Sequence, residues 1–263
     1  MSSSTNNGMP SLVHFHHPRA TNCVVRLFCC PHAGAGPAIF AKWGSMFPAD
    51  VEVWGILLPG RQSRLREPGW TTHTEIISHL LEEMRPLLNK PYLLYAHSFG
   101  SEIFHELTLE LRRQNLPLPK HLILSSRFPP SIVSHEKREP ISAKSDDEFL
   151  NLLTERYNYP PINDPALKEL AITPLRADFA AMENYQPTGV HEEPLSLPLT
   201  VIGGAQETAI PVMNLEGWRQ FTRSRFMRIV IPKADHFFYD HPKFLNTIRN
   251  AVEDVKAEEA GLP

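Results

Sequence analysis

The sequence contains no uninterrupted apolar run that approaches the roughly 18 residues needed to span a bilayer, so it gives no support for an integral membrane protein. It also lacks a strong excess of one charge: 26 Lys and Arg face 29 Asp and Glu, for a formal net charge of −3. A nucleic-acid-binding surface would need a concentration of basic residues. We therefore expect neither a membrane nor a nucleic acid as a partner.

Cysteine is scarce, with three among 263 residues. Cys23, Cys29 and Cys30 lie close together, and the last two are adjacent on a predicted strand. An odd number in this arrangement is atypical of a disulfide framework, so we expect buried free thiols in a reducing compartment. Residues 1–10 are rich in Ser and Asn and lack the apolar segment of a secretory signal, which favours a cytoplasmic location.

Signatures of metal and nucleotide binding are also missing. His14, His16 and His17 have no cysteine or acidic partner at ligand spacing, so no metal site is predicted there. The Gly-rich loop of residues 31–36, here called the 31–36 loop, has neither G-x-G-x-x-G spacing nor the Lys-Ser/Thr of a P-loop. Its glycines would instead let the backbone approach a reacting carbonyl, as in an oxyanion-binding loop.

The most informative stretch is YAHSFG at residues 95–100. It ends an apolar run that starts at residue 91 and predicts a buried strand, and apolar residues at every fourth position from 103 to 111 predict a helix after it. Ser98 therefore occupies a strand-to-helix turn between small residues. This is the setting of a nucleophile elbow, with Ala96 in the first glycine position. The helix N-terminus behind it favours negative charge as an oxyanion forms.

Strands and helices alternate along most of the chain, which predicts the α/β class, a mainly parallel sheet with helices on both faces. Functional turns are then expected beyond the carboxyl ends of the strands, and the length suits one such domain. We expect a flexible lead-in over residues 1–22, a core formed by residues 23–126 and 198–256, and an insertion over residues 127–197.

The insertion is the region where the alternation stops. Prolines interrupt it repeatedly, and helical patterns appear at residues 146–156, 164–170 and 176–185. About 70 residues without structure would be implausible inside a compact domain. We therefore expect a helical lid that covers an edge of the sheet.

A serine nucleophile needs a base, and the base needs an acid that orients it. In α/β-hydrolases the three follow one another in the order serine, acid, histidine. Glu207 is the first acid after the strand predicted at residues 198–204, and His236 follows the strand predicted at residues 226–231. The predicted catalytic residues are therefore Ser98, Glu207 and His236.

Rival residues exist for the base and the acid. His241, at the start of the last predicted helix, competes with His236. Asp178 lies in the insertion, and Asp235 would point away from its neighbour His236. The turn after the strand at residues 121–126, the usual alternative position of the acid, contains no carboxylate. The histidines that are less well placed are His105, His121, His135 and His191.

Two backbone N–H groups are expected to bind the oxyanion of a tetrahedral intermediate. One is that of Phe99, the residue after the predicted nucleophile. The other comes from the 31–36 loop, where we select Ala33. Because these are main-chain groups, the prediction depends on the geometry of the two turns and not on side-chain identity.

Several further motifs occur in a fixed order along the chain. They are Cys30 to Gly34, Trp43, Leu58 to Arg61, Arg64, Glu67, Pro68, Pro174 to Phe179 and Tyr185. Together they resemble the type II thioesterases, the free-standing enzymes of nonribosomal peptide and polyketide synthesis. The stand-alone medium-chain thioesterase of animal fatty acid synthesis is similar. The resemblance covers about residues 27–255 and has two departures: Ala96 replaces a glycine, and Glu207 stands where the family usually has aspartate.

The resemblance implies an α/β-hydrolase that cleaves acyl or peptidyl thioesters from the phosphopantetheine arm of a carrier protein. It implies no cofactor or metal of the enzyme's own, and it implies removal of stalled or misprimed groups, or product release. Two alternatives remain open. One is a carboxylester hydrolase, although the sequence has no HGGG oxyanion motif. The other is a non-catalytic module that binds carrier proteins, which need not retain a serine at the elbow or a histidine after the last strand.

Overall fold

The computed structural model describes residues 9–133 and 139–261. Within them, seven strands form one sheet. The strands are β1 (Leu12–Phe15), β2 (Val25–Cys30), β3 (Val51–Ile56), β4 (Tyr92–His97), β5 (His121–Ser125), β6 (Leu199–Gly204) and β7 (Phe226–Ile231). Their order is β1-β3-β2-β4-β5-β6-β7. β1 pairs with β3 in antiparallel orientation, and the other neighbours pair in parallel. The predicted α/β class with a mainly parallel sheet is confirmed.

Helices cover both faces of this sheet. The α-helices are α1 (Trp43–Met46), α2 (His73–Met84), α3 (Phe99–Arg113), α4 (Pro130–Val133), α5 (Asp146–Tyr157), α6 (Pro165–Glu183) and α7 (Pro242–Glu259). Helices α2 and α3 contribute to the apolar core on one face, whereas α1 and α7 contribute to the core on the other. No helix in the described ranges is long and apolar enough to cross a membrane.

The central strands are apolar throughout because both of their faces are buried. On β4, Leu94 and Ala96 belong to the core under α2 and α3, while Leu93 and Tyr95 belong to the core under α1 and α7. Successive side chains of a strand point to opposite faces of the sheet. The continuous apolar run before Ser98 therefore supports both cores at once and holds the end of β4 rigidly.

The start of the chain is more ordered than the sequence predicts. The lead-in over residues 1–22 was expected to be flexible, and this is wrong for residues 12–15, which form β1. The carboxylate of Glu83 accepts the Ser11 N–H at 2.9 and 2.7 Å and so fixes the start of the strand. Residues 1–8 lie outside the described residues.

The described part of the insertion, between β5 and β6, contains α4, α5 and α6. Residues 134–138, with His135, lie outside the described residues. Helix α5 begins at a capping box formed by Ser145 and Glu148, and α6 begins at Asp164, whose carboxylate accepts the N–H groups of the first turn. These caps satisfy backbone donors that a helix N-terminus leaves without partners.

Helix α6 continues through Pro174, although the sequence predicted separate helices over residues 164–170 and 176–185. A proline inside a helix removes one backbone hydrogen bond and tends to break or kink the helix. Here the following turn is held by burial, because Leu175 packs against Gly34 of the 31–36 loop. Tertiary packing therefore outweighs the local preference.

Candidate active site

Ser98 is the single residue between the end of β4 and the start of α3, as the sequence predicts. Its backbone has φ 53° and ψ −119°, a conformation that few residues other than glycine adopt and that costs about 1–3 kcal/mol. The Ser98 N–H donates to the carbonyl of Ser125, the last residue of β5, at 2.8 Å. The neighbouring strand thus holds the strained turn in place.

Gly100 allows the elbow to lie against the chain that follows β2. A Cβ atom at this position would lie 2.7 Å from the carbonyl oxygens of both Cys30 and Pro31. Both contacts would be with backbone, which cannot move aside easily. The close approach brings the elbow next to the 31–36 loop, so the two turns share one rim of the sheet.

Glu207 and His236 meet on the same rim. Glu207 follows β6 and His236 follows β7, and both side chains are buried. His236 Nδ1 is hydrogen-bonded to Oε1 of Glu207. Because a carboxylate oxygen accepts, Nδ1 carries the proton, and Nε2 is left with a free lone pair. This is the tautomer in which a histidine can accept a proton from a serine hydroxyl.

The 31–36 loop approaches Ser98 from the carboxyl end of β2. Ala33 and Ser98 line the same cavity. Within the loop, the Ala35 N–H donates to the carbonyl of His32 at 3.1 Å, and Gly34 has φ 77°. Phe99 is the first residue of α3, where backbone N–H groups lack partners within the helix. Both predicted oxyanion donors therefore belong to turns that flank Ser98.

Ser98 and His236 open onto one small cavity between the rim of the sheet and the insertion. It holds about 20 Å³ of free space, about enough for one water molecule. Most of its wall is apolar or aromatic, and helices α5 and α6 supply a large part of it. The lining residues are His32, Ala33, Ser98, Arg127, Leu153, Tyr157, Tyr159, Phe179, Met182, His236 and Phe237.

A family model described as "Thioesterase domain" matches residues 25–252 of the chain. The chain belongs to the thioesterase family. It is therefore a thioester hydrolase on an α/β-hydrolase fold, as the motifs indicated. The gramicidin S biosynthesis protein GrsT of Aneurinibacillus migulanus is 33% identical over 222 residues, which cover 84% of this chain and 85% of that relative.

Other relatives of this thioesterase agree in kind. The medium-chain S-acyl fatty acid synthase thioesterase of Rattus norvegicus is 27% identical over 234 residues, or 88% of each chain. The structure of the RedJ thioesterase from the prodiginine biosynthetic pathway in Streptomyces coelicolor has a TM-score of 0.77 at 25% identity and covers 90% of this chain and 94% of its own. ClbQ from the colibactin NRPS/PKS pathway shares the fold, with a TM-score of 0.81 at 21% identity over 90% of this chain and 99% of its own.

The rival residues have other partners in the thioesterase. Asp178 binds Arg61 through both carboxylate oxygens, each at 2.7 Å. Asp235 accepts the N–H of Phe237 at 3.0 Å. His241 caps the start of α7, where its Nδ1 accepts an N–H from the first turn at 3.1 Å. The predicted acid and base are thus the pair that the structure brings together.

The remaining histidines that the sequence ranked lower lie away from the cavity lining. His105 is buried between Trp218 and Phe221. His121 Nε2 is 2.8 Å from Oγ1 of Thr200 inside the sheet. His191 belongs to a short 3-10 helix at the end of the insertion. None of them lines the cavity that Ser98 and His236 share.

Two further histidines flank His236 and are held neutral. Burial and the nearby His236 lower the pKa of His97 well below its usual value, and burial lowers the pKa of His32 to about 3. His97 Nδ1 lies 2.7 Å from Oγ of Ser125, and His32 Nδ1 lies 2.8 Å from the Tyr239 hydroxyl. The two neighbouring rings are therefore uncharged and place no positive charge beside His236.

Sequence reasoning missed a buried charge network behind the cavity. Arg127 forms part of the cavity wall, and its Nε donates to Oε1 of Glu102, on α3, at 2.6 Å. His73 Nε2 lies 3.2 Å from the other oxygen. Burial raises the pKa of Glu102, but the contacts with Arg127 and His73 outweigh this effect and hold the pKa below its usual value. The sequence signal for this network is Glu102 itself, which is a glutamate among the apolar positions of α3.

Proposed function

We propose that this thioesterase hydrolyses acyl or peptidyl thioesters carried on the phosphopantetheine arm of a carrier protein, and so removes stalled groups or releases product. The observation that carries the proposal is the hydrogen-bonded pair of His236 and Glu207 beside a strained Ser98 on one apolar cavity. The biosynthetic roles in the names of the relatives support the carrier-protein partner.

Catalysis begins with the Ser98 hydroxyl, whose oxygen attacks the thioester carbonyl while His236 Nε2 accepts the proton. Glu207 stabilises the resulting imidazolium. The backbone N–H groups of Phe99 and Ala33 bind the oxyanion of the tetrahedral intermediate. As the intermediate collapses, the carbon–sulfur bond breaks and His236 returns its proton to the pantetheine sulfur. Water, deprotonated by His236, then hydrolyses the acyl-enzyme and restores Ser98.

The insertion acts as a lid in this scheme. The free space beside Ser98 is about 20 Å³, which is about the room that one water molecule needs and leaves none for an acyl chain. The part of the cavity wall that must move consists of Leu153 and Tyr157 of α5 and Phe179 and Met182 of α6. An acyl group enters when these helices shift away from the core. When the helices return, the apolar side chains of the wall repack around the acyl chain, which they favour over water.

The two other functions are disfavoured by particular observations. A non-catalytic carrier-binding module gains nothing from a buried His–Glu pair or from a serine held in a costly backbone conformation. A carboxylester hydrolase would use the same catalytic residues, so substrate turnover must separate it. Matched thioesters and oxyesters of one acyl group provide that comparison.

The test uses carrier proteins loaded with a panel of acyl groups, with the phosphopantetheine arm followed by mass spectrometry. Wild type and Ser45→Ala, which alters an exposed serine on α1, should release the acyl groups at equal rates. Ser98→Ala should lose about 10⁴–10⁶-fold in kcat and should no longer react with a fluorophosphonate. Undiminished release by folded Ser98→Ala, or faster cleavage of the oxyesters, would overturn the proposal.

A further inference from the structure

The buried carboxylate of Asp178, on α6, lies against the 31–36 loop. Arg61 Nη1 donates to its Oδ2 and Nη2 to its Oδ1, each at 2.7 Å, although the two residues are 117 positions apart. Both side chains are at least 95% buried. An ion pair with this geometry and burial is rigid, because the planar guanidinium meets the carboxylate at two points.

The pair holds the loop on both sides of Gly34. The Gly34 N–H donates to Oδ2 of Asp178 at 2.7 Å, and Nη1 of Arg61 donates to the carbonyl of Ala35 at 3.1 Å. Leu175, one turn before Asp178 on α6, packs so closely that a Cβ atom at Gly34 would lie 2.4 Å from its Cδ2 atom. These three contacts, two from α6 and one from the turn after β3, therefore determine the position of the peptide that follows Ala33.

Stability alone does not account for this arrangement. Apolar residues of similar volume usually stabilise a core at least as well as a buried ion pair, because the desolvation of two charges offsets their attraction. The directional contacts with Gly34 and Ala35 are what apolar residues could not supply. Asp178 is occupied by Arg61 and Gly34, so it is not available to orient His236.

We infer that Arg61 and Asp178 are positioning residues, which hold the Ala33 N–H in its oxyanion-binding orientation only while α6 is seated on the core. The inference rests on the proposed function, because the role of Ala33 belongs to it. Helix α6 also supplies Phe179 and Met182 to the cavity wall. Closure of the insertion over an acyl chain and completion of the oxyanion site are then one event, and the enzyme is most reactive when the lid is closed.

The decisive variant is Asp178→Asn, which keeps the shape of the side chain but removes its charge and one acceptor. Loss of a whole oxyanion donor lowers kcat by about 10²–10³-fold, so a displaced donor should lower it by about 10–100-fold, with KM within about twofold. Affinity for an acyl-pantetheine trifluoromethyl ketone, which forms a tetrahedral adduct with Ser98, should fall by the same factor as kcat/KM. Affinity for the unreactive analogue with methylene in place of sulfur should not change.

A second measurement is independent of turnover. The Gly34 amide donates to a buried carboxylate in wild type, and its hydrogen exchange should be at least about 10-fold faster in Arg61→Met/Asp178→Leu. This double variant leaves no unpaired buried charge, so it remains informative if Asp178→Asn does not fold. Arg61→Lys, which keeps the charge and loses the two-point geometry, should lose less kcat than Asp178→Asn.

Glu52→Gln is the matched control. It breaks the ion pair that Glu52 forms with Arg26 at 2.7 Å, near the opposite end of β2, and should leave all of these readouts unchanged. Wild-type kcat in Asp178→Asn, or an equal loss of affinity for both analogues, would overturn the inference. Absence of thioester hydrolysis by wild type would instead overturn the proposed function. In that case, an unchanged hydrogen exchange of the Gly34 amide in Arg61→Met/Asp178→Leu would show that the contact between the ion pair and the loop is wrong as well.

Discussion

The Ser126 hydroxyl donates a 2.8 Å hydrogen bond to Oε2 of Glu207, the carboxylate whose Oε1 meets His236. Ser126 lies immediately after β5, and Glu207 lies after the adjacent strand β6. The turn that has no carboxylate therefore supplies a donor that orients the carboxylate of the next turn. Both oxygens of Glu207 are occupied, which restricts the rotation of its longer side chain.

Ser126→Ala should lower kcat by about 10-fold and leave KM unchanged. A hydrogen bond to a charged group contributes about 1.5–3 kcal/mol, and part of this loss will be recovered as Glu207 reorients. Steady-state kinetics with one carrier-bound acyl group measures the effect. Ser45→Ala serves as the control, and an unchanged kcat in Ser126→Ala would show that Glu207 is held by the His236 contact alone.

Glu207→Gln should keep the fold and lower kcat by about 10³–10⁴-fold, because an amide can present the wrong partner to His236 Nδ1. Glu207→Asp should also lose activity, since the side chain is shorter by about 1.5 Å and can no longer reach both His236 and Ser126. Asp235→Asn, which changes a carboxylate that binds a backbone N–H in the same rim, is the matched control. If Asp235→Asn loses more kcat than Glu207→Gln, the assignment of the acid is wrong.

The pairing of Glu207 with His236 was predictable although the residues are distant in sequence. Each follows a short apolar strand, and the carboxyl ends of parallel strands meet on one rim. The order of serine, acid and histidine then leaves few candidates. The contact between Arg61 and Asp178 has no such signal, because nothing local connects a turn after β3 with the middle of α6.

The fold shows the same division between local and non-local causes. Strand β4 and helix α3 were predicted well, since their apolar periodicity is strong and continuous. Strand β1 has only four residues and forms because β3 offers a free edge, which no pattern within residues 12–15 reveals. Pro174 gave a strong local signal for a helix end, yet packing on α6 prevailed over it.

Gly34→Ala should reduce both stability and activity. Gly34 has φ 77°, where alanine costs about 1 kcal/mol or more, and the added methyl group would collide with Leu175. To relieve the contact, either the 31–36 loop or α6 must move. Thermal unfolding should show a lower Tm, and kcat should fall with KM little changed. Gly261→Ala is the control, because Gly261 is also at positive φ but has open space around it. This variant should lower Tm by a few degrees at most and should leave kcat unchanged.

Acid sensitivity should depend in part on His105. Its ring is buried against Trp218, neither of its nitrogens has a hydrogen-bond partner, and burial lowers its pKa to about 4 from a usual 6.5. The folded state therefore binds the proton less readily than the unfolded state. The corresponding stability is fully present above about pH 6.5 and is lost as the pH falls towards 4, by up to about 1.4 kcal/mol per pH unit.

His105→Leu removes this titration. Between pH 6.5 and 4, the slope of the free energy of unfolding against pH should decrease by the amount that corresponds to about one bound proton. Urea unfolding at several pH values measures the slope directly. Relative to wild type, the variant should gain stability as the pH falls, whatever its stability at pH 8, because leucine binds no proton in either state. Met213→Gln, at an exposed position, neither adds nor removes a titratable group and should leave the slope unchanged. An identical slope in His105→Leu and wild type would show that His105 titrates alike in the folded and unfolded chains.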